Sequence, residues 1–438
     1  MSPRNIAVIF FLVFLLSNIA SAEDEVVIIE KIVIRGNSKT DTSIIKQHIS
    51  IKEMEPLNEE KIEFSRLKLL STGFFSDVFA NVERGSKKGF VLLVFTVKER
   101  GTLFVDELHL GLSSVNSYWG GLSVTDSNLL GMGYRLSAGV VYGEHFLTSR
   151  LRFINPAVLS SRHRLGFELL YNDVSERTID EKNGNSIELL QYRRLSGTLI
   201  HGLKLDDYIY GYIYYSFEGM DAKFINKPEE NPLNIREGRS YLSSLSIGIS
   251  RDTRNDIFMP NKGLFTSIYY EIANAVMFSD YEYARLNIEV EYFLPALSDH
   301  SFKIRLFGGS IQGDAPFFKK YFVGDYFYFV YGKTTLPRIW GVNTSDVVKY
   351  KSVAMMGELS YAIPAFKVKD IVYKSFFYFT VAASHTAAIE EFRREETVKP
   401  AEEIITLVSF DLGFKADTEY GILKFSMAYL LDIFIDKF

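Results

Sequence analysis

Cysteine is absent from the 438 residues, which excludes disulfides, a thiol nucleophile and a lipid anchor on a processed N-terminal cysteine. Histidine is scarce: the seven residues are scattered and form no His-x-x-x-His pair, so no metal site is read and no cofactor is expected. No Gly-x-Ser-x-Gly elbow occurs, and the chain is expected not to be an enzyme. Neither sign of charge dominates: 49 basic against 54 acidic residues, net −5, leaves no footprint for nucleic acid. Past residue 22 no run reaches ~18 uninterrupted apolar residues, so no helical membrane span is expected there. Tryptophan is also rare (2), yet 36 Phe and 26 Tyr raise the aromatics to 15%, which suits aromatic girdles at two membrane interfaces.

The segment 1–22 reads as a secretory signal, with Arg4, the apolar stretch Ile6 to Leu16 and the small-residue site Ala20-Ser21-Ala22 before Glu23. A retained N-terminal anchor helix is the alternative. Residues 23–100 have a different texture from the rest. Val26 to Arg35 is a strand-like run ended by Gly36-Asn37. Asp41 can cap a helix carrying Ile44, Ile45, His48, Ile49 and Ile51. Asn58 can cap a second with the apolar stripe Ile62, Phe64, Leu67, Leu69 and Leu70, ended by Gly73. Strands Val78 to Arg84 and Phe90 to Glu99 complete a small βααββ unit.

Residues 101–438 alternate with period two, which puts apolar side chains on one face of each strand and polar ones on the other. In Tyr283 to Leu294, Ala284, Leu286, Ile288, Val290, Tyr292 and Leu294 oppose Arg285, Asn287, Glu289 and Glu291. The pattern recurs in Tyr134–Tyr142, Leu147–Phe153, Phe302–Leu306, Val353–Tyr361, Thr406–Lys415 and Lys424–Leu431. Hydrocarbon outside and charge lining a wet interior is the reverse of a soluble barrel. The expectation is a mainly β fold: a 16-stranded antiparallel transmembrane β-barrel, at about 21 residues per strand and connection, behind the βααββ domain. Ser175 to Ile187 and Gly219 to Arg239 read as extracellular loops, and Asp206-Asp207 and Asp417 to Gly421 as periplasmic turns.

The sequence also carries family likenesses. Ile32-Val33-Ile34-Arg35-Gly36-Asn37, Leu70-Ser71-Thr72-Gly73-Phe74-Phe75-Ser76-Asp77-Val78 and Val94 to Glu99 make 23–100 resemble a POTRA (polypeptide-transport-associated) domain. The resemblance implies a sheet edge offered to extended client peptides, or a spacer at the barrel mouth. Further on come Asp126-Ser127-Asn128-Leu129-Leu130-Gly131-Met132-Gly133 followed by Phe153-Ile154-Asn155-Pro156. Arg251 to Asp256 with Pro260-Asn261-Lys262-Gly263, and Ala315-Pro316-Phe317 through Tyr321 to Gly324, then follow in order. Together they make the chain resemble the outer-membrane assembly and translocation superfamily of bacterial surface antigen type that includes BamA, TamA and the two-partner-secretion transporters.

That resemblance implies a long loop folded into the lumen, whose tip arginine docks on an inner-wall acid. The corresponding stretch is Leu336-Pro337-Arg338-Ile339-Trp340-Gly341-Val342, with Trp340 directly before Gly341. Either Arg338 latches onto Glu358, which the strand parity points inward, or Arg338 is a solvated loop charge. A second acid is missing, since Val381 to His385 occupies its stretch; His385 either substitutes or is ordinary lumenal polarity. Phe438 stands where outer-membrane barrels carry a terminal aromatic assembly signal, and Asp432 to Phe438 leaves little for a closing strand.

Two functions follow. One is insertion or translocation of unfolded or partly folded polypeptides at the outer membrane, with the N-terminal domain in the periplasm beside possible periplasmic partner proteins and the barrel among outer-membrane lipids. The other is a passive or lipid-related channel on the same architecture. No residue is assigned to client binding.

Overall fold

In the computed structural model, Asp41 and Asn58 cap the two short helices as their side-chain chemistry predicts. Asp41 accepts the Ser43 N–H at 2.7 Å and Asn58 accepts the Lys61 N–H at 2.8 Å. The structure describes residues 26–111, 118–158, 162–179, 186–227, 233–256, 259–297, 299–324, 335–338, 351–368, 371–387, 406–418 and 421–431, some by backbone alone. The expected signal segment and Phe438 lie outside the described residues.

The small domain runs β1 (Ile28–Arg35), α1 (Thr42–Gln47), α2 (Glu59–Ser71), β2 (Phe75–Arg84) and β3 (Phe90–Glu99). Its sheet order is β1-β3-β2, with β3 parallel to β1 and antiparallel to β2. Ile29, Ile45, Leu69, Leu93 and Phe95 form its buried centre, with Phe74 and Phe75 folded onto it. The stripe expected on α2 divides. Leu69 is buried in the core, whereas Leu67 is exposed and Phe64 packs edge-on against Tyr208 of the large sheet, 6.0 Å away. Part of a stripe that reads as core in isolation therefore faces a neighbouring domain.

The large sheet contains fifteen strands among the described residues. They are β4 (Leu103–Gly111), β5 (Trp119–Leu129), β6 (Tyr134–Gly143), β7 (Phe146–Asn155), β8 (His163–Ile179), β9 (Ser186–Lys204), β10 (Ile209–Phe224), β11 (Gly238–Asp252), β12 (Gly263–Ala273), β13 (Tyr283–Pro295) and β14 (Ser301–Gly313). The loop pair β15 (Phe322–Gly324) and β16 (Thr335–Arg338) intervenes, and β17 (Val353–Pro364), β18 (Val372–Ala387), β19 (Thr406–Thr418) and β20 (Gly421–Leu431) complete the wall. Each wall strand pairs antiparallel with the next, and the two ends of the curled sheet meet at one parallel pair, Gly421 with Val105. Sixteen strands were expected; residues 432–438, where the last would fall, lie outside the described residues.

The period-two reading holds strand by strand. Leu286, Ile288 and Tyr292 are exposed on the outer face of β13, and Leu306, Met355, Leu359, Leu412, Phe425 and Met427 continue that apolar surface. Their neighbours of opposite parity carry charge inward. Two expectations need correction. The first concerns the bounds of the expected extracellular loops: 225–227 and 233–237 are loop as expected, whereas 175–179, 186–187, 219–224 and 238–239 are strand, because β8 to β11 run past the outer apolar belt. Polar Asp221 and Lys223 face out there, while Met220, Ala222 and Phe224 are buried inside. Alternation therefore continues, and the ladder satisfies backbone groups above the belt. The second correction concerns the interior, which is not uniformly wet.

Candidate functional site

At the rim away from the small domain, the inner wall and the loop after β14 share one apolar core. Tyr192, Phe317, Phe318, Tyr321 and Phe322 are almost completely buried there, with Trp119, Phe146, Val174, Leu190 and Leu242 around them. A short turn, Phe317–Lys319, inserts the loop root. Phe317 donates its N–H to the Leu233 carbonyl at 2.9 Å, and the Tyr321 hydroxyl bonds to Asn287 on the wall. The loop root thus turns into the lumen; residues 325–334 and 339–350, which the family resemblance also places there, lie outside the described residues. The root fills the far half with side chains, each contributing roughly 1.5–3 kcal/mol on burial.

Below this plug lies a charged seat. Lys319 Nζ is 2.7 Å from Glu218 Oε1 on β10 and 3.6 Å from Glu271 Oε1 on β12. Arg285 on β13 pairs with Glu271 and donates to the Lys319 carbonyl at 3.3 Å. Arg194 on β9 lies 3.5 Å from Glu218, with its guanidinium over the Phe318 ring at 4.2 Å. Sequence reading missed this seat. Parity marks Glu218, Glu271, Arg194 and Arg285 as inward, but nothing local says that four strands aim at one height.

The half nearer the small domain is the wet, ionic one. Arg305 bridges Glu289 at 2.7 Å, Glu291 and Glu358 at 3.6 Å each, and Lys303 also pairs with Glu358. Arg254, in the expected mid-barrel turn, joins Asp252 at 2.7 Å and Glu291 at 3.4 Å. Glu358 therefore points inward as predicted and is held by cations of the neighbouring strand β14. Arg338 has its backbone in β16, beside β15; its side chain, Trp340 and Gly341 lie outside the described residues. His385 does not substitute for the missing acid. It stands opposite Met355, which is 53% exposed on the outer face, so it belongs to the outside of the wall.

The small domain docks on the near rim through residues its motifs supply. Asn128 donates to the Thr40 hydroxyl at 2.8 Å in a buried bond, and its carbonyl oxygen accepts the Gly133 N–H at 2.8 Å. Gly131 adopts φ +73, and a Cβ there would collide with the Lys39 carbonyl. Lys68 reaches Asp207 at 2.8 Å, and Arg100 reaches Asp417 at 2.8 Å. Glu99 accepts the Ser38, Lys39 and Thr40 N–H groups at 3.0, 2.9 and 2.6 Å. Burial opposes its charge, but these donors and the Ser38 hydroxyl hold its carboxyl down at about 2.

His48 lies at the same joint, half-buried, its ring meeting Phe74 edge-on at 6.5 Å. Burial, then the charges of Lys68, Arg164 and Lys204, push it down from 6.5 to about 4. Asp207 is the counter-ion for both lysines. A proton on His48 therefore opposes docking: its neutral form contributes fully above 6.5, and that contribution is lost as pH falls towards 4. Docking should weaken as pH falls through this window, because Arg164 and Lys204 of the barrel act on the protonated ring only in the docked state. Spin labels at Lys87→Cys and Leu297→Cys would report it as a broadened distance, suppressed by His48→Gln; one distance distribution at both pH extremes would refute it.

The comparisons with known proteins agree with this anatomy. A family profile described as the Omp85 superfamily domain matches residues 128–378, more than half of the chain. The chain belongs to the Omp85 superfamily. A POTRA profile, described as a surface antigen variable number repeat, matches residues 27–100. The outer membrane protein assembly factor BamA of Nitratidesulfovibrio vulgaris is 24% identical over 332 residues, covering 73% of this chain and 38% of the relative. BamA of Neorickettsia risticii is 24% identical over 239 residues, covering 54% and 30% respectively. The chain thus spans well under half the length of these curated relatives. Among solved structures, BamA from Haemophilus ducreyi lacking POTRA domains 1–3 has TM-score 0.53 at 17% identity, covering 93% of this chain and 82% of that one. CdiB from Escherichia coli has TM-score 0.60 at 10% identity, covering 92% and 73%. This Omp85 chain is an outer-membrane protein with a periplasmic POTRA domain, so the near rim is periplasmic and the far rim extracellular.

Proposed function

We propose that this Omp85 chain inserts polypeptides into the outer membrane or passes them across it, as a non-enzymatic factor. Residues 1–22 act as its export signal, 23–100 as the client-receiving domain and 101–438 as the barrel embedded in outer-membrane lipids. The observation that carries the reading is the apolar plug of Phe317, Phe318, Tyr321 and Phe322, which fills the extracellular half of the lumen. A passive channel needs a continuous wet path, and among the described residues packed aromatic side chains stand in its way. Beneath the plug, β2 is the outer strand of the docked POTRA sheet, with Phe79 and Val82 exposed along it. An extended client can add to such an edge by backbone hydrogen bonding. The Gly421–Val105 pair, the one that joins β20 to β4 among the described residues, marks the corner of the wall where a client strand would meet β4.

Within this reading the loop tip is latched by Arg338 to Glu358, a bidentate fit available to a guanidinium. The test is depletion followed by complementation. Loss of the protein should reduce the outer-membrane content of barrel proteins or of a secreted client, and the native gene should restore it. Arg338→Glu and Glu358→Arg should each fail to complement, and the double exchange should recover activity. Normal insertion and secretion after depletion would remove the assembly role, and steady conductance of the native protein would favour a channel. Full complementation by Arg338→Glu would remove only the latch.

A further inference from the structure

The seat under the plug has an unusual balance of charge. Its wall contributes Arg194 and Arg285 against Glu218 and Glu271, two of each sign, from β9, β13, β10 and β12. Lys319, the fifth member, arrives from the loop, so the wall is neutral without it. With the loop seated, Glu218 has Lys319 at 2.7 Å and Arg194 at 3.5 Å. With the loop gone, Glu218 keeps Arg194, and Glu271 keeps Arg285 together with the Tyr269 hydroxyl at 2.9 Å and the Tyr283 hydroxyl.

Removing one partner of a buried ion pair is normally costly because the other charge is stranded. Here neither carboxylate is stranded, and the departing ammonium passes into water. The Lys319 side chain is 14% exposed, against 4% for Glu218 and 2% for Glu271, so the mobile partner is also the most solvated of the three. A lysine suits such a contact, being a compact charge on a flexible stem that does not depend on a planar, two-point fit.

We infer that Lys319 is a releasable anchor: it holds the aromatic plug in the extracellular half of the lumen and can leave its two-carboxylate seat while the wall stays intact. It is a positioning residue, acting through Phe317, Phe318 and Tyr321, which its ammonium keeps seated. The root contact is separate from any latch at the loop tip. This goes beyond the assembly reading and needs no client, so its failure and the failure of that reading can be told apart.

Two measurements on the full chain in detergent micelles or nanodiscs test it. In hydrogen exchange, Lys319→Met should speed amide exchange over residues 315–322 at least tenfold, leave 283–295 unchanged, and be largely rescued by Lys319→Arg. Exchange within twofold of the native protein, or equal acceleration of β13, would overturn the anchor. In amine acetylation of the native protein, Lys319 should react at least tenfold more slowly than exposed Lys87, yet go to completion while the barrel keeps its folded electrophoretic mobility. Reaction at Lys319 only when the barrel unfolds would overturn the release. Reaction as fast as at Lys87 would overturn the seat itself.

Discussion

A chain in which Phe317 and Tyr321 are both alanine is expected to conduct ions steadily in planar bilayers, while the native chain stays closed apart from brief openings. Both side chains are 0% exposed within the plug. Truncating a buried aromatic residue costs about 3–5 kcal/mol, partly as lost transfer energy and partly as the cavity left behind. Phe317 packs edge-on against Tyr192 at 5.7 Å, and Tyr321 against Phe307 at 5.9 Å. Their loss therefore opens space between loop and wall. The barrel itself should survive, because its ladders do not depend on the loop, and unchanged heat-modifiable mobility would confirm that. Equal, steady conductance of native and variant chains would show that the plug does not close the lumen.

Arg100→Ala should have the second large effect, on the stability of the wall. Arg100 lies in the link between POTRA domain and barrel, 2.8 Å from Asp417, with side chains 9% and 7% exposed. It also donates to the Thr418 carbonyl at 3.0 Å and lies 4.7 Å over the Tyr373 ring. Removing it strands a buried carboxylate, a loss of roughly 3–5 kcal/mol. Asp417 is the penultimate residue of β19 and pairs with Ile422 at the start of β20, which meets β4, so the damage falls on the corner where the ends of the wall meet. The melting midpoint of heat-modifiability should drop clearly, and Arg100→Met with Asp417→Leu should recover much of it, since an apolar pair leaves no charge unpaired. A midpoint unchanged in Arg100→Ala would show that the pair is effectively solvated.

Much of this was legible locally. Alternation assigned nearly every inward and outward position tested on β6, β7, β13, β14, β17 and β19, and the outward ones described on β20, because a strand's side-chain period is fixed by its backbone. The helix caps Asp41 and Asn58 were legible for the same reason. The Asn128 to Gly133 motif was readable as a likeness, but its work was hidden: Asn128 and Gly131 hold loop 39–41 of the POTRA domain, about ninety residues earlier in the chain. His385 was misjudged because a residue was matched by stretch rather than by strand parity. The loops at 175–187 and 219–239 were drawn too wide, because polar residues at their ends belong to the outward half of longer strands.

By itself the sequence determined a barrel, its greasy and ionic faces and the preceding βααββ domain. Each of these follows from short-range periodicity or from contiguous motifs. Tertiary structure alone decided which charges meet, where the interior changes from wet to apolar, and how the POTRA domain sits on the rim. Lys319, Glu218 and Glu271 converge only because the register of β10 to β12 sets two carboxylates at one height and the loop root descends to them. Register and loop path are properties of contacts between distant segments, and a period of two along one strand carries no information about either.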